Sequence, residues 1–316
     1  MMRLATVLLA LAGLVASSFA ATPQDLLREG RIDQAIAAAR GRTQQNPNDA
    51  DAWLVLGRAN YYIERWDDSI EAFERATSLR PNDSATHMWL GRAYGEKASN
   101  SNFLRAMKLA GKVREQFERA VQLDSSSVQA RSDLAEYYVE APGVVGGGID
   151  KARTQAEAIT KLSPSSGHYL LARIAVKDKK YDEAERQLKL AVERGNEKAP
   201  QYWLNLASFY RARSRFAEME AAIQKAVAGR KDAVLVDAAE ILLRAGRNFS
   251  YAAQLLREYI ERGVHSEDAP VFRAHYTLGT LLEKQGDRQG AAKQYRASLA
   301  LASGFSKAQQ ALKRVQ

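Results

Sequence analysis

Residues 50–83 read ADAWLVLGRANYYIERWDDSIEAFERATSLRPND, and this stretch decides the fold. Trp53, Leu56, Gly57 and Asn60 recur at helical spacing on one face, and Trp66, Ile70, Phe73 and Ala76 do the same on a second segment. The spacing predicts two short amphipathic helices, broken near Glu64-Arg65 and closed by Pro81-Asn82. A helix pair of this size cannot bury both apolar faces by itself, so it requires neighbours of its own kind.

The rest of the chain supplies them. The small residue at Gly57 recurs at Gly91, Ala135, Ala172, Ala207, Glu240 (or Ala239) and Gly279, in steps of 34, 44, 37, 35, 33 and 39 residues. The large residue at Phe73 recurs at Phe117, Ala156, Leu188, Ile223, Leu256 and Tyr295. Small residues admit a neighbouring helix and large ones fill the holes between helices, so the alternation is a packing repeat.

These residues carry a resemblance. Trp53-x2-Leu56-Gly57 followed by Tyr62, Ser69, Phe73, Ala76 and Pro81 resembles the tetratricopeptide repeat. His87-x2-Leu90-Gly91-x2-Tyr94, Tyr181-Asp182-Glu183-Ala184 and Gly286-Asp287-x3-Ala291 look like further copies. The resemblance covers Thr22 to Leu301. It departs from the family at Asn60, where an aromatic is usual, at Ser69 and Met219, where alanine is usual, and in a weak unit around 231–262. It implies an all-α, right-handed superhelical solenoid over residues 21–316, of about eight helix pairs, with a capping helix over 305–315.

Two units carry insertions. Near 96–112 about ten extra residues continue an apolar face through Phe103, Met107, Ala110, Val113 and Phe117, which predicts a second helix about 15 Å longer than its neighbours. At 141–148 the run APGVVGGG interrupts the next unit, and this loop resembles that of a bacterial exported subgroup of the family. Thr22, Pro23 and Asp25 have the chemistry of a helix start, as N-cap, first residue and anion near the positive end.

Residues 1–20 read as a signal peptide. Arg3 precedes an apolar run from Leu4 to Ala16, and Ser18-Phe19-Ala20 ends in a small residue suited to cleavage. A run of about 13 residues is shorter than the roughly 17–25 that a membrane span needs. The expectation is an exported protein, periplasmic or secreted.

Composition removes several classes of chemistry. Of 316 residues, 46% are hydrophobic, 26% charged and none is cysteine, so disulfides, thiolate catalysis and thiolate metal sites are excluded. The net charge of +9 suits an acidic partner. The glycine loop lacks the Lys-Ser/Thr ending of a phosphate-cradling loop and follows no strand. His87, His168 and His275 all occupy the slot of Trp53, in separate units, and His265 stands alone in a loop, so no metal or cofactor is expected. No G-x-S-x-G turn is present, and carboxylate pairs such as Asp67-Asp68 lie on helix surfaces. The chain reads as non-enzymatic.

What remains is a surface. The resemblance implies that the first helix of each unit lines a concave groove for extended peptides or partner helices. The corresponding slots nominate Arg58, Tyr61, Tyr62, Arg92, Tyr169, Arg173, Arg211 and Tyr276, with the arginines pairing carboxylates and the tyrosines giving apolar area. Leu54-x3-Arg58 and Met88-x3-Arg92 replace the clamp of chaperone-binding relatives, so chaperone tails are not implied. Nucleic acid is not expected of an exported chain. The leading function is a scaffold for an extended or acidic protein segment. The alternative is a self-assembling structural envelope protein that uses the extended 103–117 helix.

Overall fold

The computed structural model describes residues 21–316 except Lys231, Val264, His265 and Asp268. Residues 1–20, read above as a signal peptide, and His265 lie outside the described residues.

Helices follow one another in antiparallel pairs: α1 Pro23–Arg28 with α2 Ile32–Gln45, α3 Ala50–Tyr62 with α4 Trp66–Leu79, and α5 Ser84–Ser99 with α6 Phe103–Leu123. Then come α7 Val128–Glu140 with α8 Ile149–Leu162, α9 Pro164–Lys177 with α10 Tyr181–Glu193, and α11 Ala199–Ala212 with α12 Phe216–Val227. The series ends in α13 Val234–Ala245 with α14 Phe249–Arg262, α15 Val271–Lys284 with α16 Arg288–Leu301, and the closing helix α17 Ser306–Val315. Among the described residues there is no β-strand. The architecture is the all-α, right-handed tetratricopeptide solenoid. The 231–262 region, weak as a repeat in sequence, forms a full pair in α13 and α14.

First helices pack on the first helices before and after them, α3 on α5, α5 on α7, α7 on α9 and α11 on α13, whereas second helices touch mainly their own partner and the next first helix. The first helices therefore lie on the tighter, inner side of the superhelix. In three units the small slot is glycine and the opposing side chain is aromatic. A Cβ on Gly57, Gly91 or Gly279 would stand 2.5–2.6 Å from the ring of Phe73, Phe117 or Tyr295. Where the slot is alanine, the opposing residue is aliphatic or small: Ala156, Leu188, Ile223, Leu256. The volume on one helix compensates that on the other. In the weak unit the fully buried slot residue is Ala239, while Glu240 keeps a partly exposed carboxylate paired to Arg244.

The polar departures from the family pattern bond locally through Ser69 Oγ and Asn60 Nδ2, while Asn60 Oδ1 is buried without a partner among the described residues. Buried Ser69 donates to the Gly57 carbonyl at 2.9 Å, and Asn60 donates to that of Leu56 at 2.9 Å. The slot shared by Trp53 and His87 does one job: Trp53 Nε1 donates to the Pro47 carbonyl at 2.9 Å, and His87 Nε2 lies 3.0 Å from that of Pro81. Thr22 and Asp25 form a reciprocal cap on α1.

The long hairpin shares its extra length between both helices. α6 has 21 residues against 14 in α4, an excess worth roughly 10 Å, and α5 has 16 against 13 in α3. The sequence expectation of about 15 Å on α6 alone is corrected, because three of the inserted residues lengthen α5 instead.

The two ends of the solenoid meet. Leu27, Ile32, Ile36 and Leu56 near the start share a cluster with Phe272, Phe305 and Ala308 near the end. Polar contacts seal this seam. Gln24 donates to Glu267 at 2.7 Å, Arg273 to the Tyr62 carbonyl at 2.8 Å, Lys307 to Glu64 at 2.7 Å and the Ser303 amide to Asp33 at 2.9 Å.

Candidate protein-binding surfaces

Trp89 is the hub of the inner face. The guanidinium carbons of Arg58 and Arg92 lie 4.8 and 5.0 Å from its ring centre, within cation–π range. Tyr61 and Tyr62 meet it edge-on at 5.5 and 6.3 Å, and Phe73 stacks on it at 6.0 Å. Four of the nominated residues thus converge on a side chain that the slot comparison passed over. Tyr62 is buried in this cluster, while Tyr61 is half-buried and its phenol is pushed up by burial.

The arginines do not form a free basic stripe. Arg92 holds Asp133 of the neighbouring inner helix through two bonds of 2.7 and 3.1 Å. Arg173 reaches Glu140 at 2.9 Å and approaches Glu136 at 3.8 Å, and it also donates to the Tyr169 hydroxyl at 3.2 Å. Arg58 pairs with Glu267 across the seam, with both side chains mostly buried. Burial pushes the Glu136 carboxyl up, with Arg173 opposing it. Asp133 lies beside a slot on α7, whereas Glu267 comes from the loop before α15 and carries no local sequence signal. Each satisfies an arginine that would otherwise be desolvated alone.

The remaining nominated residues are separate. Tyr169 leans on Tyr202 with ring centres 6.4 Å apart, and Tyr276 rests on Tyr295 at 5.8 Å and edge-on to Phe305 at 5.2 Å. Arg211 sits half-buried on α11 with no side-chain partner among the described residues.

A groove of about 540 Å³ continues from this face under the long hairpin. Its lining is largely apolar, with Met107 and Val113 from α6 and the exposed Phe103 at the helix start. Glu96 and Glu136 stand on its wall, and Val145 of the glycine loop closes one side. The loop is rigidly tied: Tyr137 donates to the Val145 carbonyl at 2.6 Å, Lys151 to that of Gly146 at 3.0 Å, and the Gly148 amide to that of Tyr138 at 2.9 Å. Gly146 has φ +94°, and a Cβ on Gly147 would stand 1.8 Å from the Ala141 carbonyl oxygen. The glycines serve the turn, and the turn borders the groove.

His87, His168 and His275 each lie 2.7 Å from a glutamine of the paired helix, Gln116, Gln187 and Gln294. Among the described residues no three His, Asp or Glu side chains are grouped to hold a metal, and no helix is long and apolar enough to cross a membrane.

Comparison with curated proteins finds no match. Among solved structures, the chain is similar to the protein MamA (23% identity over 54% of this chain and 92% of that one, TM-score 0.42). It is also similar to a thermophilic tetratricopeptide protein of Thermus thermophilus (19% identity, 63% and 100%, TM-score 0.48). A third is the C-terminal part of a tetratricopeptide protein from Cytophaga hutchinsonii (15% identity, 92% and 98%, TM-score 0.44). The family model described as tetratricopeptide repeat matches residues 24–84, 56–97, 169–233 and 236–304, leaving unmatched the stretch that holds the tip of the long hairpin and the glycine loop. With more than half of its length matched, and helix pairs stacked one on the next along the chain, the chain belongs to the tetratricopeptide repeat family.

Proposed function

We propose that this protein is a non-enzymatic scaffold of the bacterial cell envelope that holds an extended segment of a partner protein along its inner face. Tetratricopeptide arrays are protein–protein interaction scaffolds, which supports the class of function. The observation that carries the site is the row of half-buried rings Tyr61, Tyr169 and Tyr276, each held by aromatic or arginine neighbours on an inner helix. Rings fixed in this way give contact area at little entropic cost. Export rests on the segment 1–20, and the glycine loop supports membership of the exported subgroup.

The internal pairing of Arg58, Arg92 and Arg173 narrows the partner's chemistry. A carboxylate on the segment finds an unpaired guanidinium at Arg211, so one acidic residue in an otherwise polar and apolar segment suits the face better than an acidic run. Photo-crosslinking residues placed at Arg211 and Thr280 on inner helices, and at Arg257 on outer helix α14, test this in envelope extracts. The same partner captured from both inner positions and not from Arg257 supports the reading. Capture from Arg257 alone overturns it. Retention of the full chain in the cytoplasm on fractionation removes the envelope location.

A further inference from the structure

Among the described residues, the three most exposed large apolar side chains are Leu104 (80%), Val144 (80%) and Phe103 (74%). Phe103 lines the hairpin groove, Leu104 follows it on α6, and Val144 precedes the groove-lining Val145 on the glycine loop. Helical steps of about 100° per residue place Phe103, Met107 and Ala110 toward the groove of their own chain. Leu104 and Lys108 then face away from it. The tip is thus apolar on two sides, and only one side looks into its own groove.

Charge distinguishes the tip from the groove. Glu96 on the groove wall has no ionic partner among the described residues, while Glu136 and Glu140 on the same wall are held by Arg173 and Lys177. The tip carries Arg105 and Lys108, both exposed and without a carboxylate partner among the described residues. An apolar and basic tip stands next to an apolar groove whose unpaired wall carboxylate among the described residues is Glu96, and the tip overshoots its neighbours by roughly 10 Å. A surface complementary to itself in shape and charge is what a two-fold dimer requires, because each contact then occurs twice.

We propose that the tip of the α5–α6 hairpin docks into the groove of a second copy of this chain, and that the second copy returns the contact. Leu104 of each copy packs against the other's groove floor and Val144, while Lys108 and Arg105 approach Glu96 and its neighbours.

The chain contains no cysteine, so site-directed crosslinking has no background. A mixture of Leu104→Cys and Val144→Cys chains treated with a short bismaleimide is expected to give a mixed dimer, whereas Arg257→Cys with Val144→Cys gives none. Sedimentation velocity of the purified full chain from about 1 to 200 µM is expected to show a concentration-dependent dimer. Leu104→Asp weakens it at least about tenfold, with helix content unchanged and melting unchanged at concentrations where the wild type is monomeric. Lys108→Glu and Glu96→Lys each weaken it, and the two combined in one chain restore it. A wild type that stays monomeric over this range overturns the proposal, and the groove is then open to a basic amphipathic helix of another protein. A dimer insensitive to Leu104→Asp overturns it as well. Neither result bears on partner capture at the inner face, so the two readings fail separately.

Discussion

The seam and the hairpin tip are built from the same repeat and end in opposite states. At the seam, the first and last units bring apolar faces together, and Phe272 and Phe305 are 0% and 2% exposed. At the hairpin, two helices run past their neighbours, and Phe103 is 74% exposed. Neither difference lies in residue type, since all three are phenylalanines at helix starts. Coverage depends on whether another element reaches the side chain. A superhelix that returns on itself supplies that element at its ends and withholds it where one pair outgrows the stack.

The largest expected effect tests the closed half of this comparison. Phe272→Ala removes a fully buried ring wedged between Phe305 at 5.2 Å and the N-terminal cluster, and should cost about 3–5 kcal/mol. Denaturant unfolding reads the loss, and hydrogen exchange should show α1, α2 and α17 opening first. A loss under about 1 kcal/mol would mean that the ends touch without supporting one another.

Arg58→Ala is the polar counterpart. It leaves Glu267 beside Gln24 with its main cation gone, and strips one guanidinium from Trp89. About 1–3 kcal/mol is expected, because both charged side chains are 16% exposed and a desolvated carboxylate is left under-satisfied. Arg92→Ala breaks the corresponding pair inside the stack rather than across the seam. If only Arg58→Ala speeds exchange at both termini, the seam is a distinct cooperative unit.

The repeat and its registration were legible because they depend on volume. Gly57 against Phe73, Gly91 against Phe117 and Gly279 against Tyr295 can be read as small and large letters, and the structure places each ring on its glycine. The electrostatics of the inner face were not legible in the same way. Slot matching found Arg58, Arg92 and Arg173, but the acids that hold them lie on other helices or on the loop before α15. Their distance in sequence is 209 residues for Arg58 and Glu267, and no local pattern encodes such a pair. Trp89 was hidden for a related reason: it precedes the Leu90-Gly91 slot and faces the inner surface rather than the paired helix.

An ion-pair cluster remote from both regions sets the scale for ordinary electrostatics. Burial alone would raise the Glu185 carboxyl, but hydrogen bonds from Arg215, Lys189 and Tyr210 outweigh it and bring it down to about 2. A depressed carboxylate contributes stability that is complete above its unfolded value of about 4.3 and is lost as pH falls toward 2. Arg215 and Lys189 are 40% and 56% exposed, so screening keeps the contribution to about 1 kcal/mol. Glu185→Gln should therefore destabilise by about 1 kcal/mol at pH 7 and flatten the acid limb of stability between roughly pH 4.5 and 2. An unchanged acid limb would show that solvent, not these partners, sets the carboxyl's behaviour.

The smallest expected effect is the most informative for the open half of the comparison. Phe103→Ser removes the same side chain as a substitution at Phe272 would, yet the ring has little protein around it to lose. Its effect on monomer stability should lie within about 0.5 kcal/mol of zero, measured at a concentration where association is absent. Serine also suits a helix start no worse than phenylalanine, since Asn102 supplies the cap through its bond to the Arg105 amide at 3.0 Å. A loss of about 2 kcal/mol or more would place Phe103 under cover within the monomer and close the groove to any partner. A neutral result at low concentration, with destabilisation appearing only as the wild type is concentrated, would give this ring the covering partner that Phe272 finds within its own chain.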